Sequence, residues 1–194
     1  TGDGAEFATV GSLSILSASA RTGAFGGKQG VTRSEFRTDF AQKQSSLRAY
    51  VNYETATSLA GFTIVERTSG VNRFVVRFNS AQKTLILSDV GSTLGLTAIT
   101  GTTVLSIGQT YRIEVLFDTT ANGICQLLVD GNLEINTTHS NSASITNLWG
   151  IIGQNNVTSH WDDIIIFDTL TTAGPGQHIA RQGISGTPAY DAWT

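Results

Sequence analysis

From Tyr111 to Asp118 apolar and polar side chains alternate: Tyr111, Ile113, Val115 and Phe117 form one set, and Arg112, Glu114, Leu116 and Asp118 the other. Successive side chains of a β-strand point to opposite faces, so this period predicts a half-buried strand with the first set turned inward. A second run, Ile124–Val129, meets Asp130-Gly131, and the chain returns through Leu133, Glu134 and Ile135. Asp-Gly tolerates the positive φ of a tight turn, which predicts a hairpin here.

The same reading extends along the chain. Ser12–Ser17 sets Leu13 and Ile15 between serines, as an edge strand does. Strands are predicted over Arg33–Phe40 and Leu47–Tyr53, the second alternating Leu47, Ala49, Val51 and Tyr53 with Arg48, Tyr50 and Asn52. A meander of Phe62–Arg67, Asn72–Phe78 and Lys83–Ser88 follows, interrupted by the turn segments 68–70 and 79–82. Leu94–Ile99 and Thr103–Ile107 are expected as two further short β segments, and Ile145–Gly153 precedes the last long strand, His160–Asp168. There Ile164, Ile165, Ile166 and Phe167 break the alternation, which predicts cover on both faces. No stretch sustains the apolar spacing and caps of a helix.

Thr1–Glu6 reads as an opening loop, and Arg21–Gly27 as a tight bend that turns Phe25 inward. After Asp168 the pattern dissolves into a tail carrying Tyr190 and Trp193. The expected organisation is a β-sandwich over residues 1–168 and a C-terminal extension, 169–194, packing on its own or a neighbouring subunit.

Composition narrows the function classes. The 194 residues suit a single sandwich domain, since such folds commonly reach roughly 200 to 250 residues. Charged residues are 14% of the chain, the net charge is −3, and the 12 Lys and Arg are scattered, so no footprint for nucleic acid exists. Cys125, the single cysteine, lies in a predicted strand and is expected as a buried thiol. No apolar run approaches the ~20 residues that span a membrane. Methionine is absent, position 1 included, so the chain is expected to have been trimmed.

Thr1-Gly2-Asp3, Arg21–Phe25, Gln109–Val115, Leu128–Gly131 and His160–Asp168 together resemble the concanavalin A-like, laminin G-like jelly roll. The pattern looks most like the version carried by phage virion proteins. The resemblance implies an all-β fold of two antiparallel sheets and a non-enzymatic structural role. It points to a capsid decoration or cement protein on the exterior of a bacteriophage particle, a homotrimer bound to the major capsid protein. It also implies one structural calcium ion, with Asp162 on the final strand and Asp3 in the opening loop among the oxygen ligands that this hard cation requires. The alternative is a carbohydrate-binding module or lectin, secreted or on a phage tail or fibre, with surface glycans as partners.

Enzyme chemistry finds little support. Laminarinase-type hydrolases share the sandwich and carry Glu-x-Asp-x-x-Glu on one strand, and Glu6, Glu35, Glu54, Glu66, Glu114 and Glu134 never fall into that spacing. His139, His160 and His178 lack a local nucleophile signature and read as surface or satisfied histidines. Trp149, Trp161, Tyr50 and Tyr53 are candidate sugar platforms, each in a strand where core packing is the commoner use. The sequons at Asn136 and Asn156 matter only in a eukaryotic secretory pathway.

Overall fold

The computed structural model describes residues 8–16, 26–38, 44–56, 63–68, 71–79, 81–89, 95–118, 120–140, 148–153, 157–167 and 170. Side chains are described at 44–52, 54, 75–79, 81–89, 95–118, 120–140, 158–166 and 170. Asp3, Phe25, His178, Tyr190, Trp193 and the side chains of Trp149 and Tyr53 lie outside these ranges.

The described elements are all strands: β1 (Ala8–Leu16), β2 (Gly26–Thr38), β3 (Gln44–Ala56), β4 (Thr63–Thr68), β5 (Val71–Asn79), β6 (Thr84–Asp89), β7 (Ile99–Thr100), β8 (Thr110–Asp118), β9 (Ile124–Val129), β10 (Asn132–Thr138), β11 (Leu148–Gly153) and β12 (Val157–Phe167). Every pairing is antiparallel. Hydrogen bonding runs continuously in the order β10-β9-β8-β3-β12-β2-β11-β4-β5-β6-β7, with β1 beside β2. The path is continuous because β2 belongs to both layers: Gly27–Gln29 pair with β12, and Ser34–Thr38 pair with β11. β1 follows β2 around this corner, its register shifting between Gly11 and Leu13, as corner strands do at a bulge.

The two layers meet face to face. Leu47, Ala49 and Val51 of β3, Ile113, Val115 and Phe117 of β8, Leu127 of β9 and Trp161 of β12 share one core cluster with Val76 and Phe78 of β5 and Leu85 and Leu87 of β6. On the hydrogen-bonded path β3 and β5 are four strands apart, with β12, β2, β11 and β4 between them, so only stacking of two sheets brings these residues together. The result is an antiparallel jelly-roll sandwich: the periodicity predicts its strands, and the resemblance implies their arrangement in two sheets. Cys125 is fully buried in β9.

Two expectations require correction, and a third holds with an added detail. Of the two segments expected at Leu94–Ile99 and Thr103–Ile107, the described residues 95–98 and 103–107 do not form strands; there only Ile99–Thr100 pairs, with Leu87 and Ile86. The backbone N–H groups of Thr102 and Thr103 instead donate to the Glu134 carboxylate, and those of Gly101 and Leu105 to the carbonyls of Leu85 and Lys83. A side chain takes the bonds that a neighbouring strand would have made. The second correction concerns β8, which is not half-buried: every residue from Tyr111 to Asp118 is buried, polar set included. Finally, Ile164 and Ile166 pack against the core and Ile165 is buried on the opposite face, as predicted, but the strand is not regular. A bulge between Asp162 and Ile165 holds Asp163 at φ 49°.

Candidate functional site

Because Ala49, Val51, Ile113 and Val115 point into the core, their neighbours Arg48, Tyr50, Arg112 and Glu114 occupy the outer face of the same strands. Register aligns them in two adjacent rows. One row runs Asp162, Tyr50, Arg112, and the next runs Ile165, Arg48, Glu114, Leu128 across β12, β3, β8 and β9. Residues directly opposite on antiparallel strands have Cβ atoms about 4.5 to 5.5 Å apart, so these side chains form one contiguous surface. It is a covered one: Arg48 is 1% exposed and Glu114 2%.

Two interactions organise the centre. The Arg48 guanidinium lies over the Tyr50 ring, 5.5 Å from its centroid, a favourable cation–π placement. Arg112 Nε stands 2.9 Å from Glu114 Oε1. That approach lacks hydrogen-bond alignment, and both Arg112 Nε and Glu114 Oε2 are buried without a hydrogen-bond partner. A buried acceptor left unsatisfied costs about 1–3 kcal/mol, so this pair is a poor source of stability.

The hairpin read from the sequence places Arg112. Asp130 and Gly131 adopt φ 52° and 84°. The Asp130 carboxylate accepts from Arg112 N at 2.7 Å, and Asp130 N donates to Arg112 O at 2.8 Å. The guanidinium then lies where a Cβ on residue 131 would be, and the positive φ there favours glycine.

The margin of the face is polar and more open. His160 Nε2 contacts Glu54 Oε1 at 2.6 Å. Glu54 is the extra residue where β3 shifts register against Thr158 and Ser159. Asn52, paired with His160, donates through Nδ2 to Gly108 O at 2.8 Å and to Thr110 Oγ1 at 3.3 Å. Gln126 donates to Asn136 Oδ1 at 3.0 Å on the neighbouring strands.

Two carboxylates serve structural roles away from the centre of this face. Asp118 Oδ1 accepts from Thr120 N and Oγ1, and Oδ2 accepts from Gln44 Nε2. Burial alone would raise its pKa; the bonds from Thr120 and Gln44, with the nearby His139, outweigh that and hold it below the usual value. Glu134 is likewise lowered, burial being outweighed by donors from Thr103 and Thr102. His139 is buried, its ring against Phe117 and its Nε2 bonded to Asp118 O, so it is the satisfied histidine expected.

Of the sugar-platform candidates, Trp161 belongs to the core, with Nε1 donating to Ser159 Oγ at 2.9 Å, and Tyr50 belongs to the outer face. Asp162 faces outward beside Tyr50, its Oδ1 accepting from Asp163 N at 2.9 Å. Among the described residues no three His, Cys, Asp or Glu side chains converge as a metal site. Sequence reasoning missed Arg48, Arg112, Glu114 and Asn52 as a group. The polar half of each alternation contained them, but only the register of β3 against β8 sets them side by side.

Solved structures with related folds are lectin-like sandwiches and enzymes that contain one. A sialidase superposes with a TM-score of 0.60 at 8% identity, over 81% of this chain and 17% of that one. A carbohydrate-binding module from Bacillus subtilis gives 0.57 at 8% identity, over 83% and 94%, and a galectin from Caenorhabditis elegans 0.52 at 12%, over 68% and 89%. The chain thus spans a small part of the sialidase's length. At these identities the likeness concerns the fold alone, an antiparallel jelly-roll sandwich. No protein-family model and no curated protein sequence matches the chain.

Proposed function

We propose that the chain is a carbohydrate-binding module of lectin type, with the outer face of β12, β3, β8 and β9 as its binding surface. The observation that carries this reading is a jelly-roll fold like that of a carbohydrate-binding module and a galectin, whose outer face opens beside its covered rows at a polar margin of Asn52, Glu54 and His160. Sugar recognition relies on a few placed polar groups for hydroxyls, and this margin offers them. The fold shared with a carbohydrate-binding module and a galectin supports it. A glycan array tests it: wild-type protein is expected to retain a restricted set of oligosaccharides, and Glu54→Ala, at the open margin, to lose them. Retention of none would end the reading.

The virion role rests on the resemblance of the motifs named above, such as His160–Asp168. A homotrimer cementing the major capsid protein is distinguished by co-sedimentation with capsids, which a free glycan-binding module would not show.

A further inference from the structure

Resting on the carbohydrate-binding reading, we propose that the glycan is seated between the row His160, Asn52, Thr110 and the turn Ser106–Gln109. Asn52 Oδ1 and the Thr110 hydroxyl take two sugar hydroxyls, and Ile107 meets the apolar C–H face of the ring. Register is the first argument. Asn52 pairs with His160 on one side and with Thr110 on the other, so the three form the next outward row beyond Asp162, Tyr50 and Arg112. This row is open where its neighbour is covered: Thr110 is exposed, Asn52 and His160 are half-buried, and the Glu54 side chain against His160 is 46% exposed. β2 extends the row with Lys28, whose side chain lies outside the described ranges.

The second argument is how the Asn52 amide is held. Its Nδ2 donates to Gly108 O at 2.8 Å and to Thr110 Oγ1 at 3.3 Å, which uses both amide hydrogens. These bonds fix which end of the amide faces the turn, so Oδ1 is set on the other side as an oriented acceptor. Thr110 Oγ1 accepts from Asn52 and keeps its own proton to donate. An acceptor and a donor thus stand on neighbouring strands, within reach of two hydroxyls of one ring. A site that bonds hydroxyls in this way rejects analogues that lack them.

The turn supplies the third argument. Gln109 N donates to Ser106 O at 3.3 Å, Ser106 N donates to the Tyr111 hydroxyl at 2.6 Å, and Asn52 holds Gly108 from the sheet. A segment tied at these points is preorganised and loses little freedom when a ligand arrives. Residues 106–110 are all exposed, and a Cβ at Gly108, where φ is 78°, would meet nothing within 4 Å, so the approach over the turn is open. Ile107, next to Gly108, is 52% exposed. An aliphatic side chain presented on a fixed turn beside placed polar groups is the combination that small-ligand sites use.

The test uses the full chain and the oligosaccharide most strongly retained on the glycan array. It is titrated calorimetrically into wild type, Thr110→Val and Ile107→Ser, with Val104→Ser, at another exposed position of the same loop, as control. Thr110→Val is expected to weaken binding ~3- to 10-fold, the size of a lost neutral hydrogen bond. Ile107→Ser is expected to weaken it at least ~3-fold through lost apolar contact, and Val104→Ser to leave it unchanged. In NMR spectra of the wild type the glycan is expected to shift the Gly108 amide and the Asn52 side-chain amide resonances. Wild-type affinity in Thr110→Val or in Ile107→Ser, equal weakening by Val104→Ser, or binding that leaves both resonances unmoved overturns the inference while leaving the module reading intact. Absence of any glycan binding overturns both. Should a variant fail to fold, the wild-type resonances decide.

Discussion

Arg112 fills the space that a Cβ would occupy at residue 131: its Nη2 lies against Gly131, whose backbone sits at φ 84°. One turn residue thus sets where the guanidinium of the outer face rests. Gly131→Ala meets two penalties, the left-handed backbone, about 1–2 kcal/mol for an L-residue, and displacement of Arg112. The expected outcome is a lower urea midpoint and weaker glycan retention, while Asn132→Ala, at the exposed neighbouring position, changes neither. Unaltered stability of the Gly131 variant would show that Arg112 is not placed by the turn.

Glu134 replaces a missing strand. Its Oε1 accepts from the N–H groups of Thr102 and Thr103, and its Oε2 accepts from Thr103 Oγ1 at 2.7 Å. Because these bonds favour the ionised form, its folded pKa lies below the ordinary value of 4.5. The stabilisation is fully present above about that ordinary value and is lost as pH falls through the lowered folded value. Glu134→Ala should cost about 1–2 kcal/mol at neutral pH, toward the lower end for bonds to a charged group because the side chain is partly exposed. The gap between wild type and variant should close on acidification. A gap independent of pH would mean that the carboxylate's charge plays no part in holding the loop.

The same sign applies at the start of the β8–β9 hairpin. Asp118 binds Thr120 and Gln44, and its pKa is lowered from the ordinary 3.8. Gly123 closes this turn because a Cβ there would crowd the Thr120 carbonyl at 2.8 Å and His139 Nε2 at 2.9 Å. Asp118→Asn keeps the shape and removes the charge. We expect a loss of about 1–2 kcal/mol at pH 7 that vanishes below the lowered pKa. Amide hydrogen exchange at Thr120 should rise in the variant at neutral pH; unchanged protection there would refute the role.

Much of the sandwich was legible because strand periodicity is local. Ile124–Val129 was delimited from sequence alone, and the Asp130-Gly131 turn adopts the positive φ values that its residues favour. Elements whose partners are side chains were not legible. Residues 103–107 alternate like a strand, yet Thr103 bonds to a glutamate some thirty positions downstream, Leu105 N to the Lys83 carbonyl and Ser106 N to the Tyr111 hydroxyl. The covered centre of the outer face was hidden for a related reason. Alternation marks Arg48, Arg112 and Glu114 as outward, and outward ordinarily means exposed, whereas these three are buried. The bulges at Glu54 and Asp163 were equally silent, since a one-residue change of register leaves no compositional trace.

Burial on both faces makes a quantitative prediction about the core. Phe117 is fully buried within the cluster between the layers, so Phe117→Ala should cost about 3–5 kcal/mol through lost transfer energy and a cavity. Ile165 is buried outside that cluster, opposite Arg48, at 9% exposure. There a truncated side chain leaves space that neighbouring polar chains can partly refill. Ile165→Ala is therefore expected near the lower end of the range for such truncations, about 2 kcal/mol. Chemical denaturation of both variants measures the two terms on one scale. Wild-type stability of Ile165→Ala would show that the outer face carries no packing energy, and a loss equal to that of Phe117→Ala would make the outer face a second core.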